Sequence, residues 1–375
     1  MKGLYINTIA TSSTDLGVAK KIESQILALE KHSIKMDYLT RENSSIDYKY
    51  LFNGIEIKET NFSRKFLKKI YYYFFYPKKN KLLRKIKVEK YDFIYIRAYV
   101  LTYGGMDFLK NLKKTNAKII WEIPTYPYDQ ECKTLESKLL NTLEKIFFRK
   151  KLKKYVNKIV TYSDDNEIFN IKTIKISNGI DMERISMVNK LKKTISDEIN
   201  FITVARISFW HGIDRFILSM VEYYKNNPKE IIKFHIVGDG DKNLVNELKK
   251  IVKDNNLEKY VIFYGYKSGK ELDEIYNRAN IAIGCLGNHR KGISYIQPLK
   301  NREYAAKGLP MVFSEKDPGF ENVNFIYKAL ENENLLNIRE IIKWYKNLKM
   351  SSEEIREFSK KFDWNIQMKK VLNEL

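Results

Sequence analysis

Short apolar runs alternate with longer stretches of helical apolar spacing along the chain, and most apolar runs end in glycine, proline or a polar loop. Residues 4–9 predict a first strand. A polar turn follows, then a helix with Val18, Ile22, Ile26, Leu27 and Leu29 on one side. Strands are predicted again at 91–97, 117–124, 158–163 and 173–181, with a helix over 105–114. The polar stretch 189–199 lacks periodicity and reads as a linker. Beyond it the same grammar restarts: strands at 200–206, 231–237, 260–263 and 281–285, helices at 214–224, 244–254 and 269–279, and a helical C-terminus over 351–375. Alternation of strand and helix in both halves predicts an α/β protein with two Rossmann-like domains facing a central cleft. The expected boundaries are 1–188, 189–355, and a C-terminal helix, 356–375, that packs back on the first domain.

The stretch 281–313 organises the second half. Its buried strand ends at Gly284, a polar loop follows, a helix opens near Pro298, and Gly308 with Pro310 stops it. A helix N-terminus at the carboxyl end of a parallel strand suits an anion. Glu303, a turn into that helix, suits sugar hydroxyls instead. Phosphate on backbone amides and ribose on a carboxylate together describe a nucleotide. Three other strand ends carry compatible residues: Arg206 with His211 in its loop, Gly238-Asp239-Gly240, and Gly265-Tyr266. In the first half, Gly17 follows the first strand where backbone can approach a ligand. Glu122, Thr125 and Tyr126 stand at the end of the 117–124 strand, in a loop rich in hydroxyls and carboxylates.

Composition changes this picture in one respect. The net charge is +22 over 375 residues, which points to an anionic partner: a phosphorylated substrate, a membrane surface or nucleic acid. Basic residues interleave with aromatic ones over 62–90 and again over 147–154, as an interfacial membrane segment requires. Nucleic acid would leave Glu303 and the glycine-ended strands without a purpose. Cys132 and Cys285 lie in no metal or redox spacing and the four histidines are dispersed, so no metal site is expected. Asp239-Gly240-Asp241 could hold a divalent ion, but its glycines explain it as well. No apolar run is long enough to span a bilayer. The expected location is cytoplasmic, peripheral on the inner face of the plasma membrane.

Several motifs together resemble the GT-B glycosyltransferases of retaining family 4. They are Gly17-Val18, Ser177-Asn178-Gly179-Ile180-Asp181, Val204-Ala205-Arg206 with Trp210-His211-Gly212-Ile213-Asp214-Arg215, Val237-Gly238-Asp239-Gly240, Val261-Ile262-Phe263-Tyr264-Gly265, and Pro298 through Glu303-Tyr304-Ala305 to Pro310. Residues 121–129 resemble a subgroup that builds bacterial surface polysaccharides. The resemblance implies metal-free transfer, with retention, from a nucleotide sugar, by default a UDP-sugar, to a glycan or polyprenyl-diphosphate-linked acceptor, with no cofactor. Arg206, His211 and Glu303 would be catalytic. The donor would lie against Gly17, Arg206, His211, Gly238, Tyr266, Ser294, Tyr295, Lys300 and Glu303, and the acceptor against Glu122, Thr125 and Tyr126. Two departures stand out: His211 replaces the usual lysine, which makes phosphate binding depend on pH or lean on Lys300, and Tyr295 replaces a second glutamate. They motivate an alternative, a non-catalytic nucleotide-sugar-binding scaffold.

Overall fold

Leu4, Tyr5 and Ile6 are almost wholly buried, and the strand they form, β1 (Lys2–Thr11), is the seed of the first of two units. The computed structural model describes residues 1–11, 16–43, 48–57, 86–97, 101–129, 134–189, 198–292 and 295–375. The first unit is Met1–Ser177 with Trp364–Leu375, and the second is Asn178–Asp363.

In the first unit β1 is followed by α1 (Leu16–Lys31), β2 (Lys35–Asn43), β3 (Tyr48–Phe52), β4 (Ile55–Ile57), β5 (Phe93–Arg97), α2 (Tyr103–Leu112) and β6 (Lys118–Ile123). Next come α3 (Leu135–Phe147), α4 (Arg149–Leu152), β7 (Lys158–Thr161), β8 (Glu167–Ile168) and β9 (Ile171–Lys175). The strand order is β4-β3-β2-β1-β5-β6-β7-β9-β8. Strands β2, β1, β5, β6, β7 and β9 pair in parallel, and antiparallel strands finish both edges. Every residue of β5 is buried, as a strand covered on both faces requires. On one face Ile22, Ile26 and Leu29 of α1 meet Tyr5, Tyr95, Met368 and Val371. The last two belong to α11 (Trp364–Leu372), so the C-terminus returns to this unit, as the sequence predicted. Burying side chains of this size contributes about 1.5–3 kcal/mol each, enough to tie the returning helix down.

The second unit runs β10 (Glu198–Val204), α5 (Ile213–Lys225), β11 (Ile231–Val237), α6 (Lys242–Asp254), β12 (Val261–Gly265), α7 (Gly269–Arg278), β13 (Ile281–Ile283), α8 (Leu299–Ala306), β14 (Met311–Phe313), β15 (Ile326–Lys328), α9 (Ile338–Asn347) and α10 (Ser352–Ser359). Its strand order is β12-β11-β10-β13-β14-β15, and neighbouring strands all pair in parallel. Phe201 and Phe234 fill one side, while Ile202, Ala282 and Met311 fill the other. The chain winds outward from β10 through β11 and β12, then returns to β13 on the other flank. The topological switch therefore lies between β10 and β13, where open parallel sheets bind ligands.

The chain crosses between units at 177/178 and 363/364, not at the expected 188/189 and 355/356. Local hydrogen bonding explains both offsets. The Asn178 side chain donates to the Gln297 carbonyl at 2.7 Å, and the Val188 N–H to that of Lys307 at 3.0 Å. Arg356 donates to the carbonyls of Ile185 and Met182 at 2.9 and 3.0 Å. Residues 178–189 and α10 are thus built into the second unit; of the expected linker, 189–199, residues 198 and 199 open β10 and 190–197 lie outside the described residues.

Candidate functional site

The loops that leave the carboxyl ends of β10, β11, β12 and β13 are tied to one another by backbone hydrogen bonds. Ile207 N–H donates to the Asp239 carbonyl at 2.8 Å, Gly238 N–H to that of Gly265 at 2.8 Å, and Leu286 N–H to that of His211 at 3.0 Å. The last bond spans the switch point. Glycine is required in this lattice: a Cβ on Gly238 would sit 1.9 Å from the Ala205 carbonyl oxygen, and its φ of +124° lies where side chains rarely go. Gly212, at φ +65°, would drive a Cβ to 2.8 Å from the Leu286 backbone. Asp239 adds a bond absent from the sequence reading, accepting the Tyr266 N–H at 3.2 Å. Arg215, buried on α5, was also missed. It donates to the carbonyls of Leu286, Leu330 and Asn334 at 2.9, 3.0 and 2.7 Å, fixing the loop after β13 from beneath.

Within this frame Arg206 is exposed at the end of β10. His211 closes a short 3-10 turn, Phe209–His211, and its Nδ1 accepts the Ser208 N–H at 3.2 Å. That bond puts the ring proton on Nε2. Burial, together with the nearby Lys300 and Lys291 cations, brings the His211 pKa down to about 2. In that state His211 is a neutral N–H donor through Nε2.

The 281–313 stretch forms the predicted strand, loop, helix and strand. Helix α8 buries Asn301, Arg302, Tyr304, Ala305 and Ala306, leaving Lys300 and Glu303 partly exposed. Arg302 pins the helix, donating to Asp317 with one contact at 2.6 Å while stacking on Phe320 and Phe362. Among the described residues the Lys300 Nζ is buried with no hydrogen-bond partner, as are Glu315 Oε2 and Asn288 Nδ2. Burial raises the Glu315 pKa, against the pull of Asn301 and Lys300. Tyr266 is 63% and Tyr295 42% exposed, and Tyr295 bridges to Lys316. Ser294 lies outside the described residues. The second unit thus gathers Arg206, His211, Gly238, Tyr266, Tyr295, Lys300 and Glu303 on one edge of one sheet.

The remaining candidates belong to the first unit. Gly17 is in the first turn of α1. Thr125 is exposed, and the partly buried Tyr126 packs edge-on to Phe169 with ring centroids 5.9 Å apart. Glu122 departs from expectation. It is wholly buried, with its carboxylate taking hydrogen bonds from Tyr95 at 2.6 Å, Tyr162 at 2.9 Å and Gln25 at 3.1 Å. Arg97, beside it in register on β5, forms an ion pair with it, and Lys21 lies 3.9 Å away. Burial opposes the charge on Glu122, but Arg97, Lys21 and the phenols outweigh it and hold the pKa below its ordinary value. A carboxylate so fully engaged serves the interior of the unit and not an acceptor hydroxyl. The signal that could have found this is the coincidence of Arg97 and Glu122 at the ends of consecutive strands.

The basic-aromatic stretch 62–90 lies outside the described residues up to 85. In the second, 147–154, Phe148 and Leu152 are buried and the lysines are exposed. Among the described residues no cluster of three His, Cys, Asp or Glu side chains could hold a metal, and no helix is long and apolar enough to cross a membrane.

Residues 188–361 match the profile of the glycosyl transferases group 1 family. No curated protein matches the sequence. Similar solved structures include sucrose-phosphate synthase from Thermosynechococcus elongatus, with a TM-score of 0.66 at 14% identity over 100% of this chain and 99% of that one. A glycosyltransferase from Rickettsia africae aligns with a TM-score of 0.62 at 14% identity, over 99% and 97% of the two chains. HepE from Anabaena, in complex with UDP and glucose, aligns at 0.54 and 16% identity over the whole of both chains. The fold is that of the GT-B glycosyltransferases.

Proposed function

We propose that the chain is a retaining glycosyltransferase of the family 4 type. It moves a sugar from a nucleoside-diphosphate donor, by default a UDP-sugar, to a glycan or lipid-linked acceptor in the synthesis of a bacterial cell-surface glycan. One observation carries the reading. The segment matched by the glycosyl transferases group 1 profile contains Arg206, His211 and Glu303 around loops knitted together at the sheet's switch point. HepE, of the same fold, is in complex with UDP and glucose, which supports the donor class.

In this reading Arg206 supplies charge to the diphosphate and His211 donates through Nε2–H. Lys300, whose Nζ is buried, adds a second cation, and Glu303 holds the ribose hydroxyls in pairs. The nucleophile attacks on the face from which the diphosphate departs. Catalysis is then positioning together with stabilisation of the charge that builds on the leaving group. Neither a metal nor a cofactor takes part.

A thermal-shift panel of nucleoside diphosphates and nucleotide sugars, with and without EDTA, tests this. A ligand at 100 times its dissociation constant adds about 2.7 kcal/mol. The expected result is stabilisation by uridine diphosphates that survives EDTA. Indifference to every nucleotide removes the donor site, and a shift abolished by EDTA removes the metal-free mechanism.

A further inference from the structure

Helix α3 wears its amphipathic faces the wrong way round. Its inward side is polar: Asn141 and Glu144 are buried, Arg149 donates to Asn141 at 2.7 Å, and Tyr128 donates to Glu144 at 2.6 Å. Its outward side is apolar. Leu135 is 89%, Leu139 61% and Ile146 62% exposed, and Leu143 beside them is partly buried. At 3.6 residues per turn these side chains fall within about 40° of Leu139 on the helix surface, nearly opposite Asn141. A surface helix of a globular protein normally shows the reverse arrangement. The helix is well made, since Thr134 and Ser137 form a reciprocal cap at its start, so the exposed stripe is not a frayed end.

Charge identifies what would cover the stripe. Lys138 and Lys145 line one edge of it, and Lys150, Lys151, Lys153 and Lys154 are exposed just past its end. Of the acids on the helix, Glu144 faces inward, leaving Glu136 as the other one in the sequence. Apolar side chains bordered by lysines along one edge and at one end match a surface that is apolar within and anionic at its rim. A second copy of the chain would set the lysine rows against each other.

We propose that α3 lies in the plane of an anionic lipid bilayer, with Leu135, Leu139 and Ile146 among the acyl chains and the lysines at the head groups. This surface belongs to the first unit alone and does not depend on the chemistry of the donor site.

The test uses the full chain with vesicles of phosphatidylcholine, with and without phosphatidylglycerol. A Leu139→Trp variant reports depth through its emission and its quenching by brominated lipid, measured against the parent. A triple variant, Leu135→Ser, Leu139→Ser and Ile146→Ser, removes the stripe, and unchanged thermal unfolding verifies its fold. The proposal expects binding to anionic vesicles, a blue-shifted and quenched Trp signal, and binding roughly a hundred-fold weaker in the triple variant. Three results overturn it. One is no vesicle binding. Another is binding with an unshifted Trp, which would assign the membrane to basic residues elsewhere. The third is self-association that the triple variant abolishes while vesicle binding persists, which would make the stripe an interface between copies.

Discussion

His211 shows how much a single side chain can conceal from a sequence. Its place before Gly212 in a strand-end loop was readable, and a histidine there suggested a titrating phosphate ligand. The structure gives its Nδ1 a backbone N–H donor and sets the ring near lysines, so the neutral form prevails down to about pH 2. The consequence for stability has a definite sign. The unfolded chain binds a proton at this residue below its ordinary value near 6.5, and the folded chain does not until about 2, so folding loses stability as pH falls between them. The slope approaches about 1.4 kcal/mol per pH unit well inside that window. Chemical denaturation from pH 7 to 4 should show His211→Gln losing less stability on acidification than the parent. Equal slopes would mean that His211 is protonated in the folded chain.

At the scale of elements, the second unit was legible because its strands are short, apolar and punctuated by glycine, and β10, β11, β12 and α5 to α7 fall within a few residues of expectation. The first unit was read less completely. Strands β2 and β3 are polar and mixed, and the turn from β3 into β4 is Asn53-Gly54, both at positive φ, a signal that the long basic stretch beside it obscured. Helix α3 went unread although Leu135, Leu139, Leu143 and Ile146 recur at helical spacing, because its end was attached to the basic-aromatic run 147–154; what the sequence could not show is that this stripe faces outward. The Glu122 network was hidden for a related reason. Its members come from α1, β5, β6 and the residue after β7, with Gln25 bonded to Tyr162 across 137 positions, and no local pattern joins them. Lys21 in this network is brought down to about 7 by burial and Arg97, in spite of Glu122. Replacing Glu122 with Gln leaves Arg97 buried without its counter-charge, which costs about 3–5 kcal/mol. An unfolding free energy from urea titration that falls by less than a third of that would mean that the pair is solvated and open to a ligand after all.

For the whole molecule, two parallel-sheet units built from one chain, with the C-terminal helix returned to the first, account for the alternating pattern that the sequence displays. The switch point of the second sheet is where its charged and glycine-bearing strand ends meet. On the two proposals above, the net charge of +22 serves a diphosphate at that switch point and an anionic bilayer against α3. The donor site is the central claim, and hydrogen–deuterium exchange with and without UDP tests it most directly, because it reports where a nucleotide acts. The account predicts slowed exchange in peptides covering 205–212, 238–240, 265–266 and 286–303. Binding of UDP that leaves all four of those peptides unchanged would place the nucleotide elsewhere and contradict the account.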